Sequence, residues 1–191
     1  MKRSGLSGGS YKPLSQQDIE KIHQTILRVF QEVGVKVSCA EAIELFAAAG
    51  ADVNPVEKIV KIPPALVEKI LSTAPSEINL CGRAENGELD CAIGDTRVHL
   101  GTGGTALNVQ DPGAKDARRS QLKDIGDMAR VVDALDNIHF YMLNVFPNDL
   151  SMEEVDVNRF GAALNRTKKH VMGGVYTVEG VRNVIRMAEM I

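Results

Sequence analysis

Apolar residues recur with a helical period at Ile19, Ile22, Ile26, Val29, Phe30 and Val33, a spacing that lines one face of an α-helix. Ser15 caps this predicted helix with Asp18 three residues on, Leu14 and Ile19 form a hydrophobic staple, and Gly34 ends it. Ser38-Cys39-Ala40-Glu41 reads as a capping box for a second helix over Ile43 to Ala49, stopped by Gly50. Ile59 to Ile62 reads as extended. Pro63-Pro64 then opens a third short helix through Leu66, Val67, Ile70 and Leu71, closed before Pro75. Residues 15–75 are therefore expected to form a helical N-terminal region.

The hydrophobic period then changes. Ile78 to Cys81, Leu89 to Ile93 and Thr96 to Leu100 read as short strands, with turns at Glu85-Asn86-Gly87 and Gly94-Asp95. Ala106 to Gln110 extends again before the turn Asp111-Pro112-Gly113. From Ser120 strand and helix alternate. Leu122, Ile125, Met128, Ala129, Val132 and Leu135 share a helix face, and Ile138 to Val145 is nearly continuous and apolar, as in a strand buried on both faces. Pro147-Asn148-Asp149 ends that strand. A helix through Val155, Phe160 and Leu164, a strand His170 to Gly173, and a last helix capped by Thr177 follow. Successive strand–helix units imply parallel strands joined by right-handed crossovers, as in a doubly wound sheet or a (β/α)8 barrel. A barrel takes eight units and typically ~250 residues. The final residues, Met190-Ile191, fall inside an apolar helical pattern, so the chain reads as the beginning of a larger protein.

The chain has 191 residues, 44% hydrophobic and 25% charged, with a formal net charge of −3. That is a soluble profile with enough apolar residues for a sizeable core, and its mild acidity with no basic run argues against nucleic acid. No apolar stretch approaches the ~20 residues of a membrane span. Met1 to Ser10 is basic but has no apolar segment behind it, so residues 1–14 read as a flexible tail, not a signal peptide, and the expected location is the cytoplasm. Cys39, Cys81 and Cys91 are odd in number and widely spaced, which suits neither a disulfide framework nor a zinc site. Cys39, expected in the first turn of the second helix, reads as a small packed side chain.

The most informative stretch is Val98-His-Leu-Gly-Thr-Gly-Gly-Thr-Ala-Leu-Asn-Val109. Gly101, Gly103 and Gly104 permit close backbone approach, and Thr102 and Thr105 supply hydroxyls. The cluster matches no phosphate loop: Ala106-Leu107 stands where a P-loop has Lys and Ser or Thr, and a strand follows where a dinucleotide fold has a helix. A ligand site at a strand end and a glycine-rich turn both fit it. An unrelated enzyme binding an anion there is disfavoured, because Arg97 lies on the incoming strand and the next basic residue is Lys115.

In order along the chain, Leu14-Ser15, Glu32-Val33-Gly34-Val35, Ala49-Gly50-Ala51, Ile62-Pro63-Pro64, Thr73-Ala74-Pro75, Gly101-Thr-Gly-Gly-Thr105, Asp136-Asn137-Ile138 and Val145-Phe-Pro-Asn-Asp149 resemble the N-terminal portion of the trimethylamine methyltransferase family. The resemblance implies the first part of a (β/α)8 TIM barrel over residues 76–191, behind the helical region and a small β-rich segment. It implies transfer of a methyl group from a methylated tertiary or quaternary amine to the cobalt of a corrinoid. That corrinoid is carried by a separate protein partner, and no cofactor is tightly bound. Family members are much longer, so the chain is expected to be an incomplete fragment. On that reading it lacks activity alone and self-associates or pairs with a missing C-terminal segment; a non-catalytic interaction fragment is the alternative. In such a barrel the functional face lies past the strand ends. The substrate-binding candidates are therefore Gly101, Thr102, Gly103, Gly104, Thr105, Phe146, Asn148, Asp149 and Tyr176. No residue is assigned as catalytic and no metal ligand is expected. His139 and His170, at strand starts, read as structural.

Overall fold

The computed structural model describes residues 5–191. They divide into two compact units: residues 9–76, and residues 77–191 together with the described residues through Gly8. The first element is a two-residue strand, Leu6–Ser7 (β1). The N-terminal unit then opens with helix α1 (Gln16–Arg28). The capping box forms: the Ser15 hydroxyl accepts from Asp18 N at 3.2 Å and the Asp18 carboxylate accepts from Ser15 N at 3.1 Å. The helix continues as one wide turn, Val29–Val33, closed by Gly34 N donating to Val29 O at 2.9 Å. Gly34 has a φ of 80°, and a Cβ there would lie 2.6 Å from Val60 O. Only glycine satisfies both conditions.

Strand β2 (Val35–Lys36) follows, then helix α2 (Ala40–Ala48), strands β3 (Asp52–Asn54) and β4 (Ile59–Lys61), and helix α3 (Pro64–Leu71). The strands pair antiparallel in the order β2-β4-β3, with Val60 of the central strand opposite both Val35 and Val53. The expected capping box at Ser38 does not form. Cys39 is itself the residue before the helix, exposed and without a capping side-chain bond, so it lies ahead of the first turn and is not packed. Among the described residues of this unit, Leu27 and Val60 are the fully buried hydrophobics.

The C-terminal unit starts with β5 (Ile78–Leu80), β6 (Cys91–Ile93) and β7 (Arg97–Val98). β5 pairs antiparallel with β6, and β7 pairs antiparallel with β1. Leu6 and Ser7 therefore do not belong to a flexible tail as expected: ladder bonds to Arg97 and Val98 hold them. Residues 1–4 of that expected tail lie outside the described residues. β8 (Asn108–Val109) and β9 (Arg118–Arg119) form a hairpin over the turn at Pro112-Gly113. Helix α4 (Leu122–Ala134), strand β10 (Phe140–Met142), helix α5 (Val155–Leu164), strand β11 (His170–Met172) and helix α6 (Val178–Glu189) complete the chain.

β10 and β11 pair in parallel, Phe140 opposite His170 and Met142 opposite Met172. Along the other edge of β10 runs the segment 101–106, also parallel, through bridges Gly101–Phe140 and Ala106–Val145. Three parallel neighbours thus lie in chain order, with α4 and α5 as their crossovers. Tyr141, Leu143 and Val145 are buried against Ile125, Ala129 and Val132 of α4 and Phe160 and Ala163 of α5. Each Val, Leu, Ile or Phe side chain among them contributes about 1.5–3 kcal/mol by leaving water. Val184 and Met187 of α6 pack against the edge of this cluster. Mixed helix and strand content fits the α/β class. The described residues form no closed barrel; their strands make small sheets and one open parallel set.

Candidate active-site rim

Parallel strands release their loops at a common end, where α/β proteins place ligands. Here that rim is built by Leu107 after the first parallel segment, Phe146 to Asp149 after the second, and Gly173 to Thr177 after β11. The glycine cluster does not lie beyond a strand end, nor in a turn between two strands. It runs alongside residues 140–145. Thr102 Oγ1 donates to Met142 O at 2.6 Å and accepts from Met142 N at 2.9 Å, so a hydroxyl makes the ladder bonds that backbone groups would make. A Cβ on Gly101 would lie 2.2 Å from the Phe140 ring, so this glycine exists for the close approach of that ring. Gly103 and Gly104 differ: nothing lies within 4 Å of a Cβ at either, and both are exposed. Thr105 is exposed, with its hydroxyl 3.5 Å from Leu143 O.

Asn148 and Asp149 are tied into the scaffold. Asn148 Nδ2 lies 3.0–3.1 Å from Leu107 O, Ser120 O, Ser120 Oγ and Phe146 O, pinning three segments together. Asp149 Oδ1 accepts from Leu122 N at 2.9 Å, satisfying a free amide at the start of α4, where helix polarity favours a negative charge. Just before that helix, Arg118 of β9 bridges Asp111 and the α4 residue Asp124, holding both carboxyls below the ordinary carboxylate range through charged hydrogen bonds.

Phe146 and Tyr176 meet edge to face, with ring centroids 5.4 Å apart and planes at 84°. This brings together two candidates that lie thirty residues apart in sequence. Under Tyr176 lies Arg159 of α5, its guanidinium carbon 4.9 Å from the ring centroid. Arg159 is fully buried; Nη1 reaches Gly174 O at 3.4 Å, while Nε and Nη2 have no hydrogen-bond partner. One turn earlier on α5, buried Asp156 accepts from Tyr176 N at 3.0 and 3.1 Å, and from Thr177 N and Thr177 Oγ1 at 3.1 Å each. A Cβ on Gly180 would lie 2.0 Å from that carboxylate, so the first turn of α6 needs a glycine at this position.

Asp156 and Arg159 are not among the residues that the sequence motifs single out. A signal existed: they sit beside Val155, Phe160 and Ala163, putting two charges on the buried side of a helix, which is rare without a purpose. His139 Nδ1 accepts from Leu100 N at 3.0 Å, and His170 Nδ1 donates to Cys81 O at 3.0 Å. Both imidazoles hold neighbouring segments together. Among the described residues no group of three or more His, Cys, Asp or Glu is placed to hold a metal ion, and no helix is long and apolar enough to cross a membrane.

A family model described as trimethylamine methyltransferase (MTTB) matches residues 6–191. The chain belongs to the trimethylamine methyltransferase family. It is 33% identical over 184 residues to the trimethylamine methyltransferase MttB of Desulfitobacterium hafniense, covering 96% of this chain and 36% of that protein. The Methanosarcina barkeri MttB is 32% identical over 173 residues, 87% of this chain and 34% of the relative. A proline betaine:corrinoid methyltransferase of Eubacterium limosum is 40% identical over 80 residues, 40% of this chain and 16% of the relative. The chain thus spans about a third of the length of the MttB proteins it matches. The matched span in this family member includes the whole rim described above.

Proposed function

We propose that this chain is the N-terminal portion of an enzyme that moves a methyl group from a methylated tertiary or quaternary amine to the cobalt of a corrinoid carried by a separate protein. The single observation that carries the reading is the family match across residues 6–191. The rim geometry is compatible with it. On this reading the three parallel segments are the first strands of a (β/α)8 barrel, since they lie in chain order with helices as crossovers.

The partner's corrinoid would supply the cobalt nucleophile that takes the methyl carbon; the electron pair of the broken carbon–nitrogen bond would stay on nitrogen, so a quaternary ammonium would leave as a neutral amine. No proton moves in this case, so the step calls for no general acid or base. The protein's part is to bind and orient the amine and to exclude water. The surfaces available for that are the aromatic pair Phe146 and Tyr176, the exposed backbone of Gly103 and Gly104, and the Thr105 hydroxyl. Gly101, Thr102, Asn148 and Asp149 hold these groups in place.

The test is to purify the chain, supply a reduced corrinoid protein, and follow the cobalt absorption with trimethylamine, glycine betaine and proline betaine. A barrel-lining pocket needs more strand–helix units than these residues contain, so the chain alone is expected to give no methylation. Co-expression with the remaining two-thirds of a family member is expected to restore it. Failure of restoration with every amine overturns the reading. Turnover by the chain as a monomer overturns the partial-site part of it. A second reading, a non-catalytic binding subunit, is favoured by one observation: an apolar groove of about 470 Å³ lined by Leu45, Phe46, Leu66 and Ile70 in the N-terminal unit. Light scattering on the chain separates the two, because that reading requires association without any gain of methylation.

A further inference from the structure

We propose that His139 is a pH-sensitive clamp on the segment that leads into the glycine cluster, holding it against β10 when the imidazole is neutral and releasing it when the imidazole is charged. The clamp grips one residue twice. Leu100 N donates to His139 Nδ1 at 3.0 Å, and Leu100 O accepts from His139 N at 2.7 Å. The next residue, Gly101, makes the parallel bridge to Phe140, and Thr102 continues the pairing at Met142. His139 therefore starts the contact of this segment with β10. Its Nδ1 accepts only while it carries a lone pair, so the proton of the neutral imidazole sits on Nε2. Charging the ring puts a second proton on Nδ1, facing the Leu100 N–H. Two donors then stand 3.0 Å apart, and an attraction becomes a repulsion.

The groups around the ring act in the same direction. His99, on the clamped segment itself, meets His139 edge to face, with ring centroids 5.3 Å apart and planes at 79°, and donates through Nε2 to Ala92 O at 3.1 Å. The Cys91 thiol of β6 donates to His139 O at 3.7 Å. Ahead of β11, the buried Lys169 ammonium donates to Ile138 O, the carbonyl next to His139, at 2.8 Å. Asp136, in the turn after α4, is the carboxylate nearest to His139 in sequence. The Lys169 cation opposes a second positive charge beside it. The native contact favours the neutral ring, so the bond to Leu100 is present above the ordinary histidine pKa of about 6.5 and is lost as pH falls through the native value. His170 serves as an internal control: its Nδ1 donates to Cys81 O, a bond that either protonation state keeps. What the clamp governs is the seating of residues 101–105 along β10, and so the position of the exposed stretch Gly103 to Thr105 at the rim.

The test is nitrogen-15 NMR of the full 191-residue chain, titrated from about pH 8 to about pH 5. Imidazole nitrogen shifts report tautomer and charge, with the His139 signals assigned by H139Q. At the alkaline end His139 is expected to carry its proton on Nε2. As its ring charges, the Leu100 and Gly101 amides are expected to shift with the same midpoint, and their exchange protection, corrected for intrinsic rate, to fall on the order of tenfold. The Tyr141 and Leu143 amides are expected to stay in place, which separates release of the segment from unfolding of the core. In H139Q the introduced carbonyl accepts from Leu100 N and does not titrate, so the pH dependence at Leu100 is expected to disappear, whereas H170Q keeps it. Should H139Q fail to fold, the wild-type titration decides alone. A neutral ring protonated on Nδ1, a ring still neutral at the acid end, or a ring that charges while Leu100 stays in place overturns the proposal. So does pH dependence at Leu100 that persists in H139Q or vanishes in H170Q.

Discussion

The two units of this chain spend their apolar residues differently. Residues 77–191 gather Ile125, Ala129, Val132, Tyr141, Leu143, Val145, Phe160 and Ala163 into one buried cluster between parallel strands and two helices. Residues 9–76 bury only Leu27 and Val60 fully, and leave Ile19, Ile22, Ile26 and Val29 of one face about half exposed. Local helix signals are strong in both units, down to a complete capping box at Ser15. Caps and periodicity therefore specify where a helix forms, but stability follows from what its apolar face meets. The rim inherits its rigidity from the well-packed unit, because Asn148, Asp149, Asp156 and Arg159 all anchor to elements of that cluster.

The contrast breaks most visibly at Asp156. Asp156→Ala leaves the amides of Tyr176 and Thr177 unsatisfied beside a buried arginine, and is expected to cost about 3 kcal/mol or more. Urea unfolding followed by near-ultraviolet dichroism measures it. Next in size is a contrast inside the glycine cluster. Gly101→Val drives a side chain into the Phe140 ring and is expected to cost about 2–3 kcal/mol, while Gly103→Ala, with open space around it, stays within about 0.5 kcal/mol. Equal effects in the same unfolding experiment would show that the cluster acts as one turn.

A smaller effect is expected on the acid side. Arg118 holds the Asp124 carboxyl below its ordinary value, so that pair stabilises the fold above the ordinary aspartate pKa of about 3.9 and the gain is lost as pH falls through the lowered native value. Asp124→Asn is expected to be less stable than wild type at neutral pH, with the gap closing as the pH drops below about 4. A pH series of thermal melts checks the sign. Smallest is the change from Leu45→Gln or Ile70→Gln in the N-terminal groove. Both side chains are more exposed than buried, so stability should move by no more than about 0.5 kcal/mol while light scattering falls.

Much of the scaffold is legible in the residues. The strand–helix alternation after Ser120, the parallel pairing of residues 140–142 with 170–172, the cap at Thr177 and the stop at Gly34 all follow from period and local chemistry. Four short strands are not legible in the sequence, Leu6–Ser7, Val35–Lys36, Asp52–Asn54 and Arg118–Arg119, because each is too short to display an alternation and exists through its pairing partner. The Ser38 motif does not fix the cap: the same four residues place the helix start one residue on, behind Cys39. At the rim, the sequence points to Phe146 and Tyr176 through their position after strands, but their contact is a product of the parallel register. Asn148 and Asp149 look functional by composition, yet their bonds are to the scaffold. Arg159 shows in the sequence only as a charge on the apolar side of a helix; which of its nitrogens have partners is determined by packing alone.

Native-state hydrogen exchange of the whole chain measures the difference between the units directly. The amides of Ile125, Ala129, Tyr141 and Leu143 should exchange slowest, in a single cooperative unfolding step, with those of α2 and α3 exchanging through far smaller openings. Equal protection across both units, or slower exchange in α2 and α3 than in β10, would contradict the assignment of the chain's stability, and of the rim's rigidity, to the strand–helix unit.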